Sequence, residues 1–332
     1  MADVAPDIDA LFAGLRAGSR LALARALTLV ESTRPDHERA AAALLDRCLP
    51  LCAGAPRIGV TGVPGAGKST FIDALGMQLL EQGRRVGVCA IDPSSKQTHG
   101  SILGDKTRMT RLAADERAFI RPTPNAGAYG GVASRTREAL VLLEAAGFDF
   151  LFVETVGVGQ SETSVTDLVD MVLVLTLTGA GDALQGMKRG VLEIADALII
   201  HKADGDNRVP AQVLRKEMQH ALHLFQSPRP EWEPAVLTAS SQTGEGLDAL
   251  RSLIDAFLAS QQADGHLAAL RARQTRCWLH ERIAEGVQRQ WKERAGVEER
   301  LGALEADVQA ARRSAPSAAL EILDLVASGR LI

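Results

Sequence analysis

The residues best suited to chemistry sit in one octet, Gly62-Val63-Pro64-Gly65-Ala66-Gly67-Lys68-Ser69, followed by Thr70. Its pattern, G-x-x-x-x-G-K-S, is a phosphate cradle. Glycines let backbone N–H groups turn inward around phosphate oxygens, Lys68 offers its ammonium to the β- and γ-phosphates, and the Ser69 hydroxyl suits Mg²⁺. The apolar run IGVT precedes the octet and STFIDALGMQLL follows it, so the cradle joins a strand to a helix N-terminus. Residues 62–70 are therefore expected to bind a nucleoside triphosphate.

Acidic residues recur where a metal ion would lie. Asp92 closes the run VCAI, Asp105 lies in the polar loop HGSILGDKTRM, and Glu154 closes FLFV. Mg²⁺ keeps several waters and takes few carboxylates directly, so some of Asp92, Asp105 and Glu154 are expected to reach it through water. A charge ending a run as apolar as FLFV also requires a partner. Gly157, just beyond, stands where a backbone amide would sense the γ-phosphate. Lys68, Asp105, Glu154 and Gly157 form the expected hydrolytic set, with Ser69, Asp92, Asp105 and Glu154 as the expected metal set.

Base selectivity is legible further on. The run ALII leads into His201-Lys202-Ala203-Asp204, where guanine-binding proteins carry N-K-x-D. A carboxylate at Asp204 accepts from guanine N1 and N2, donors that adenine lacks, and the Lys202 stem would lie along the base. His201 replaces the amide; an imidazole is expected to donate one hydrogen bond without matching an amide's donor and acceptor together. Ser240-Ser241-Gln242 is the second expected base segment, offering a backbone N–H to guanine O6. The expected ligands are GTP and GDP with Mg²⁺.

Elements that could position these residues follow from periodicity. Apolar runs at 57–61, 85–91, 118–121, 149–154, 171–177, 197–201 and 235–238 alternate with amphipathic stretches such as 69–82 and 134–146. Continuous apolar runs fit strands buried on both faces, so the expected fold is a doubly wound, mostly parallel α/β sheet. Helical spacing within residues 1–50 predicts an N-terminal helical extension. Residues 51–260 form the expected nucleotide domain, and 261–332 a charged helical arm. Three stripes mark that arm: Leu279, Ile283, Val287 and Trp291; Leu301, Leu304 and Val308; and Leu320, Leu323 and Val326. Spacing alone leaves open whether the arm packs on its own chain or pairs two chains.

With 37 basic and 41 acidic residues the net charge is −4. That gives no electrostatic reason to expect nucleic acid or an anionic membrane as partner. No apolar run reaches membrane-spanning length, and the first residues lack a basic-then-apolar leader. Cys48, Cys52, Cys89 and Cys277 read as small apolar residues with free thiols, suited to a reducing, cytoplasmic setting.

Taken together, GVPGAGKST, IDPSS, GDKTRM, ETVGVGQSE, TGAGDALQGMKRG and HKAD make the chain resemble the MeaB-type GTPases, chaperones of adenosylcobalamin-dependent acyl-CoA mutases such as methylmalonyl-CoA mutase. The likeness covers essentially the whole chain. It implies a P-loop fold of the SIMIBI-type GTPase branch, shared with nickel-insertion GTPases and signal-recognition particles. It also implies a homodimer made by the C-terminal arm, and switch elements around 92–108 and 154–157. A third, family-specific switch around 178–188 would use Asp182, Gln185 and Lys188 to couple nucleotide state to the mutase. GTP hydrolysis would then gate cofactor loading, protection and reactivation, with a slow intrinsic rate that the partner stimulates. Two other readings compete: a nickel-type metallochaperone, which needs a His-rich or Cys/His ligand set, and a small-molecule kinase, which needs an acceptor pocket.

Overall fold

Seven strands form where the apolar runs predict them: β1 (Arg57–Gly62), β2 (Val86–Asp92), β3 (Ala118–Pro124), β4 (Phe150–Thr155), β5 (Met171–Thr176), β6 (Ala197–His201) and β7 (Ala235–Ala239). The structure is a computed structural model describing residues 7–32, 34–92, 108–124, 131–155, 165–179, 189–222, 229, 231–292 and 296–328. The sheet order is β3-β2-β4-β1-β5-β6-β7, and every pairing is parallel. Strands β4, β5 and β6 are buried along their whole length, which explains their unbroken apolar sequence.

The helices of the first unit, residues 1–275, are α1 (Ile8–Arg16), α2 (Arg20–Glu31), α3 (Pro35–Cys48), α4 (Lys68–Glu81), α5 (Thr110–Ala114), α6 (Gly131–Ala145), α7 (Arg189–Leu192), α8 (Arg208–Leu222), α9 (Leu247–Ala263) and the first part of α10 (His266–Lys292). Pro35 occupies the first turn of α3, where its missing N–H costs nothing. Leu15, Leu23, Leu27, Val30 and Leu44 of α1–α3 are buried with Leu140 and Leu143 of α6 in one core. On the other face Phe71, Ile72 and Leu75 of α4 pack with Ile254 and Phe257 of α9. The N-terminal helices thus share the core of the sheet domain.

At the amino ends of the strands, carboxylates meet arginines. Asp170, before β5, accepts from Arg57 N–H (2.8 Å), Arg271 Nη2 (2.6 Å) and Arg271 Nε (2.9 Å). Asp196, before β6, accepts from Arg229 Nε (3.0 Å) and from Val172 N–H (2.8 Å). Asp149, before β4, accepts from Arg85 N–H at 2.8 Å. These contacts staple strand starts to one another and leave the opposite edge for ligand, as open α/β sheets do.

In the second unit, residues 276–332, α11 (Val297–Gln309) and α12 (Ala315–Ser328) bury Leu304, Ala318 and Ile322, with Trp291 and Val308 packed against them. Of the expected stripe Leu320, Leu323 and Val326, the first two are exposed, at 61% and 58%. The face of α12 turned to Leu304 runs through Ala318 and Ile322, one turn apart, so Leu320 falls on the opposite side, while Leu323 flanks the groove that Leu304, Ala318 and Ile322 line. Leu279, Ile283 and Val287 are likewise exposed. No helix among the described residues is long and apolar enough to cross a membrane.

Candidate functional site

The phosphate loop leaves β1 through a conformation that only glycine tolerates. Gly62 has φ 136°, and a Cβ there would stand 2.0 Å from the Leu175 carbonyl oxygen of β5. Val63 N–H donates to that same oxygen at 3.2 Å, and Ala66 N–H donates to the Val63 carbonyl at 3.2 Å. Gly67, φ 82°, caps α4. Lys68 is buried and its Nζ donates to the carbonyls of Gly62 (3.0 Å) and Val63 (3.3 Å). Both carbonyls are neutral acceptors, weaker partners for an ammonium than a phosphate oxygen would be.

Ser69 Oγ donates to Glu154 Oε1 at 2.7 Å, across from the end of β4. This is the partner that a charge closing FLFV demands. Pro64, Gly65 and Gly67 line a cavity of about 590 Å³ together with Lys68, Ser69, Thr70, Glu154 and Arg108. A hydroxyl and a carboxylate side by side are hard oxygen donors, so the residues present fit Mg²⁺. The Asp92 side chain, Asp105 and Gly157 lie outside the described residues, as do Asp182, Gln185 and Lys188.

At the end of β6, His201 corrects the sequence expectation. Its ring is buried, with Nδ1 2.6 Å from the Ala66 carbonyl and Nε2 2.6 Å from Ser241 Oγ. A carbonyl only accepts, so Nδ1 carries the proton. In the neutral ring, Nε2 then accepts from the Ser241 hydroxyl. The imidazole thus supplies a donor and an acceptor together, on its two nitrogens, and it anchors the phosphate loop. Burial lowers its pKa, which keeps it neutral, and the Phe71 ring meets it edge-on at 5.6 Å.

Lys202 follows with φ 56°, a left-handed conformation rare outside glycine and concentrated at functional sites. Asp204 Oδ2 accepts from Ser240 Oγ, which in turn accepts from the N–H groups of Gln242 (3.2 Å) and Thr243 (3.1 Å). Ser240 N–H donates to the Glu245 carbonyl at 2.9 Å. The amides of Ser240 and Gln242 are therefore engaged within the turn that orients Asp204. Two hydrogen-bonded pairs, His201 with Ser241 and Asp204 with Ser240, thus stand after β6 and β7, and His201 joins the first of them to the phosphate loop through Ala66.

Arg108 is the cavity residue that sequence reasoning did not single out. Its signal was a cation next to an apolar residue at the end of a polar loop, which is too common to stand out.

The nickel reading finds no cysteine site here. Burial pushes the Cys48 and Cys52 thiols up to about 11 and 12, and Cys52 Sγ donates to the Cys48 and Val141 carbonyls. Thiols held this way resist conversion to the thiolate a soft metal needs.

Residues 23–295 match the family model described as methylmalonyl-CoA mutase-associated GTPase MeaB. The chain is 48% identical to GTPase ArgK of Escherichia coli over 273 residues, covering 82% of each. It is 43% identical to the mouse methylmalonic aciduria type A homolog, a mitochondrial protein, across 95% of this chain and 78% of that one. Among solved structures, a LAO/AO transport system kinase superposes with a TM-score of 0.75 at 36% identity, covering 96% of this chain and 97% of the other. With a phosphate-loop strand–helix junction and a family match over most of its length, the chain belongs to the MeaB family of P-loop GTPases.

Proposed function

We propose that the chain binds GTP and Mg²⁺ at this site and uses hydrolysis to gate adenosylcobalamin loading into a partner acyl-CoA mutase. The mutase would be methylmalonyl-CoA mutase or a related isobutyryl- or 2-hydroxyisobutyryl-CoA mutase, and the same cycle would protect and reactivate it. The observation that carries the nucleotide part is the convergence of Lys68, Ser69 and Glu154 on one cavity whose loop is tied by His201 to Ser241, next to the Ser240 that holds Asp204. The mutase part rests on membership of a mutase-associated family.

In this reading Lys68 leaves the Gly62 and Val63 carbonyls for the β- and γ-phosphates. Ser69 and Glu154 hold Mg²⁺, which when bound neutralises charge on the transferring phosphoryl group. Asp204, oriented by Ser240, accepts from guanine N1 and N2, and Lys202 lies along the base. Asp92, Asp105 and Gly157 complete the metal and γ-phosphate contacts, and Asp182, Gln185 and Lys188 relay the nucleotide state to the mutase. Residues 1–50 extend the GTPase domain of 51–260, and the arm of 261–332 pairs two chains. The exposed Leu279, Ile283 and Val287 of α10 support that homodimer. The protein would act in the cytoplasm, where its free thiols are stable.

The test is phosphate release from GTP with and without each candidate mutase, alongside transfer of adenosylcobalamin to the apo-mutase. The protein alone should turn over on the order of 10⁻² s⁻¹ or slower, rising with its cognate mutase. Turnover of tens per second without a partner, or transfer indifferent to nucleotide, contradicts the timing role. A small-molecule kinase is the second reading, favoured by the likeness to a solved protein described as a transport system kinase. Labelled phosphate passing from GTP to a small acceptor instead of to water would decide for it.

A further inference from the structure

Helix α4 carries the phosphate loop at its first turn, and its next turns hold a second cation in place. Asp73, one turn after Ser69 and buried, accepts from Arg111 Nε at 2.8 Å and from Leu112 N–H at 2.9 Å. Met109 and Leu112 are fully buried in the core that holds Phe71, Ile72 and Leu75 of α4. Gly76 lets Leu112 approach this closely, since a Cβ there would meet Leu112 Cδ1 at 2.7 Å. Short helix α5 is thus fixed to α4 by two apolar anchors and a carboxylate clamp. Arg108, directly before Met109, is exposed and lines the phosphate cavity with Lys68, Ser69 and Glu154. Among the described residues no hydrogen bond or ion pair holds its guanidinium, whereas Arg111 is committed to Asp73.

We propose that Arg108 is a catalytic arginine supplied by the chain itself, its guanidinium meeting the γ-phosphoryl group of bound GTP. The inference rests on the GTP-hydrolysis reading and adds a residue to it. In the step, the water oxygen bonds to the γ-phosphorus while the bond from that phosphorus to the β–γ bridging oxygen breaks. GDP leaves with the electron pair, and the water's proton passes to the released phosphate. Negative charge grows on the bridging oxygen, and the guanidinium's several donors stabilise it more than they stabilise the ground state. The two cations divide the work. Lys68 is buried in the loop and serves binding and chemistry alike. Arg108 reaches the cavity from an anchored element and serves chemistry above all.

The test measures single-turnover phosphate release from GTP with Mg²⁺, plus GDP affinity, for wild type, Arg108→Ala, Arg108→Lys and Lys68→Ala. Arg108→Ala should slow release by about 100-fold or more while GDP affinity stays within about threefold. Arg108→Lys should fall between, because it keeps the charge and loses the fork. Melting temperature should not move, since the side chain is exposed. Release within about threefold of wild type overturns the proposal; so does a loss of GDP affinity matching the loss of rate, which marks a binding or structural role. If wild type releases no more phosphate than Lys68→Ala, the hydrolysis reading itself fails, and the Arg108 role with it.

Discussion

The two ends of the sheet use the same residue types for opposite purposes. At the amino ends, Asp149, Asp170 and Asp196 accept from amides in or next to the strands, and arginines complete the Asp170 and Asp196 sites. At the carboxyl ends, Glu154 is met by a serine hydroxyl, Asp204 by Ser240, and Lys68 by backbone carbonyls. The first set is matched charge against charge, and its geometry is closed. The contacts named in the second set are with neutral groups, partners that an ionic ligand can replace at small cost. The difference separates scaffold from site without recourse to any bound molecule.

The largest expected effect lies at the closed end. Asp170→Ala leaves Arg271 in a half-buried place without its carboxylate, and should destabilise the fold by about 3–5 kcal/mol. Chemical denaturation reads the loss, while GTP turnover per folded molecule should hold. If turnover falls as steeply as stability, the ends are not independent. At the open end, Lys68→Ala should reduce turnover by about 10²–10³-fold with little change in melting temperature; unchanged hydrolysis would remove Lys68 from the site. Asp204→Asn should weaken GTP by about 10- to 100-fold, the scale of hydrogen bonds to a charged acceptor, and relax discrimination against other bases. Equal selectivity in titrations of GTP and inosine triphosphate would move base recognition elsewhere.

The smallest effect concerns His201. An amide can also bond the Ala66 carbonyl, so His201→Asn should change GTP affinity by no more than about threefold at pH 7.5, with any change toward tighter binding. The variants should diverge on acidification. Burial lowers the folded-state pKa of His201 below its ordinary value near 6.5, so the folded protein binds fewer protons than the unfolded chain. Stability is then complete above that value and declines as pH falls below it. Wild type should lose more melting temperature between pH 7 and 5.5 than His201→Asn, and parallel profiles would show that the ring is not held neutral.

Much of this was legible in the sequence, for physical reasons. Strands such as FLFVE and MVLVLT are buried on both faces, so composition alone located them to within about a residue or two. The phosphate loop was legible because its glycines answer local backbone demands, and Glu154 because a charge ending an apolar run demands a partner. What escaped depended on contacts between distant segments. The anchoring of Arg108 runs through Asp73 and Gly76, more than thirty residues earlier on another helix. The tautomer of His201 is set by Ala66 and Ser241, which no local pattern brings together. In α12 periodicity marked an apolar stripe without showing which residues the chain itself covers; Ala318 and Ile322 form the buried face and Leu320 and Leu323 stay exposed.

The central claim is that the open end of the sheet is a guanine-selective triphosphatase site. Phosphate release from GTP and from ATP, measured side by side on wild type and Lys68→Ala, tests it most directly. The account predicts release from GTP at least about 100-fold faster than from ATP, lost in the Lys68 variant. Equal rates with the two nucleotides, or release that survives the loss of Lys68, would contradict it.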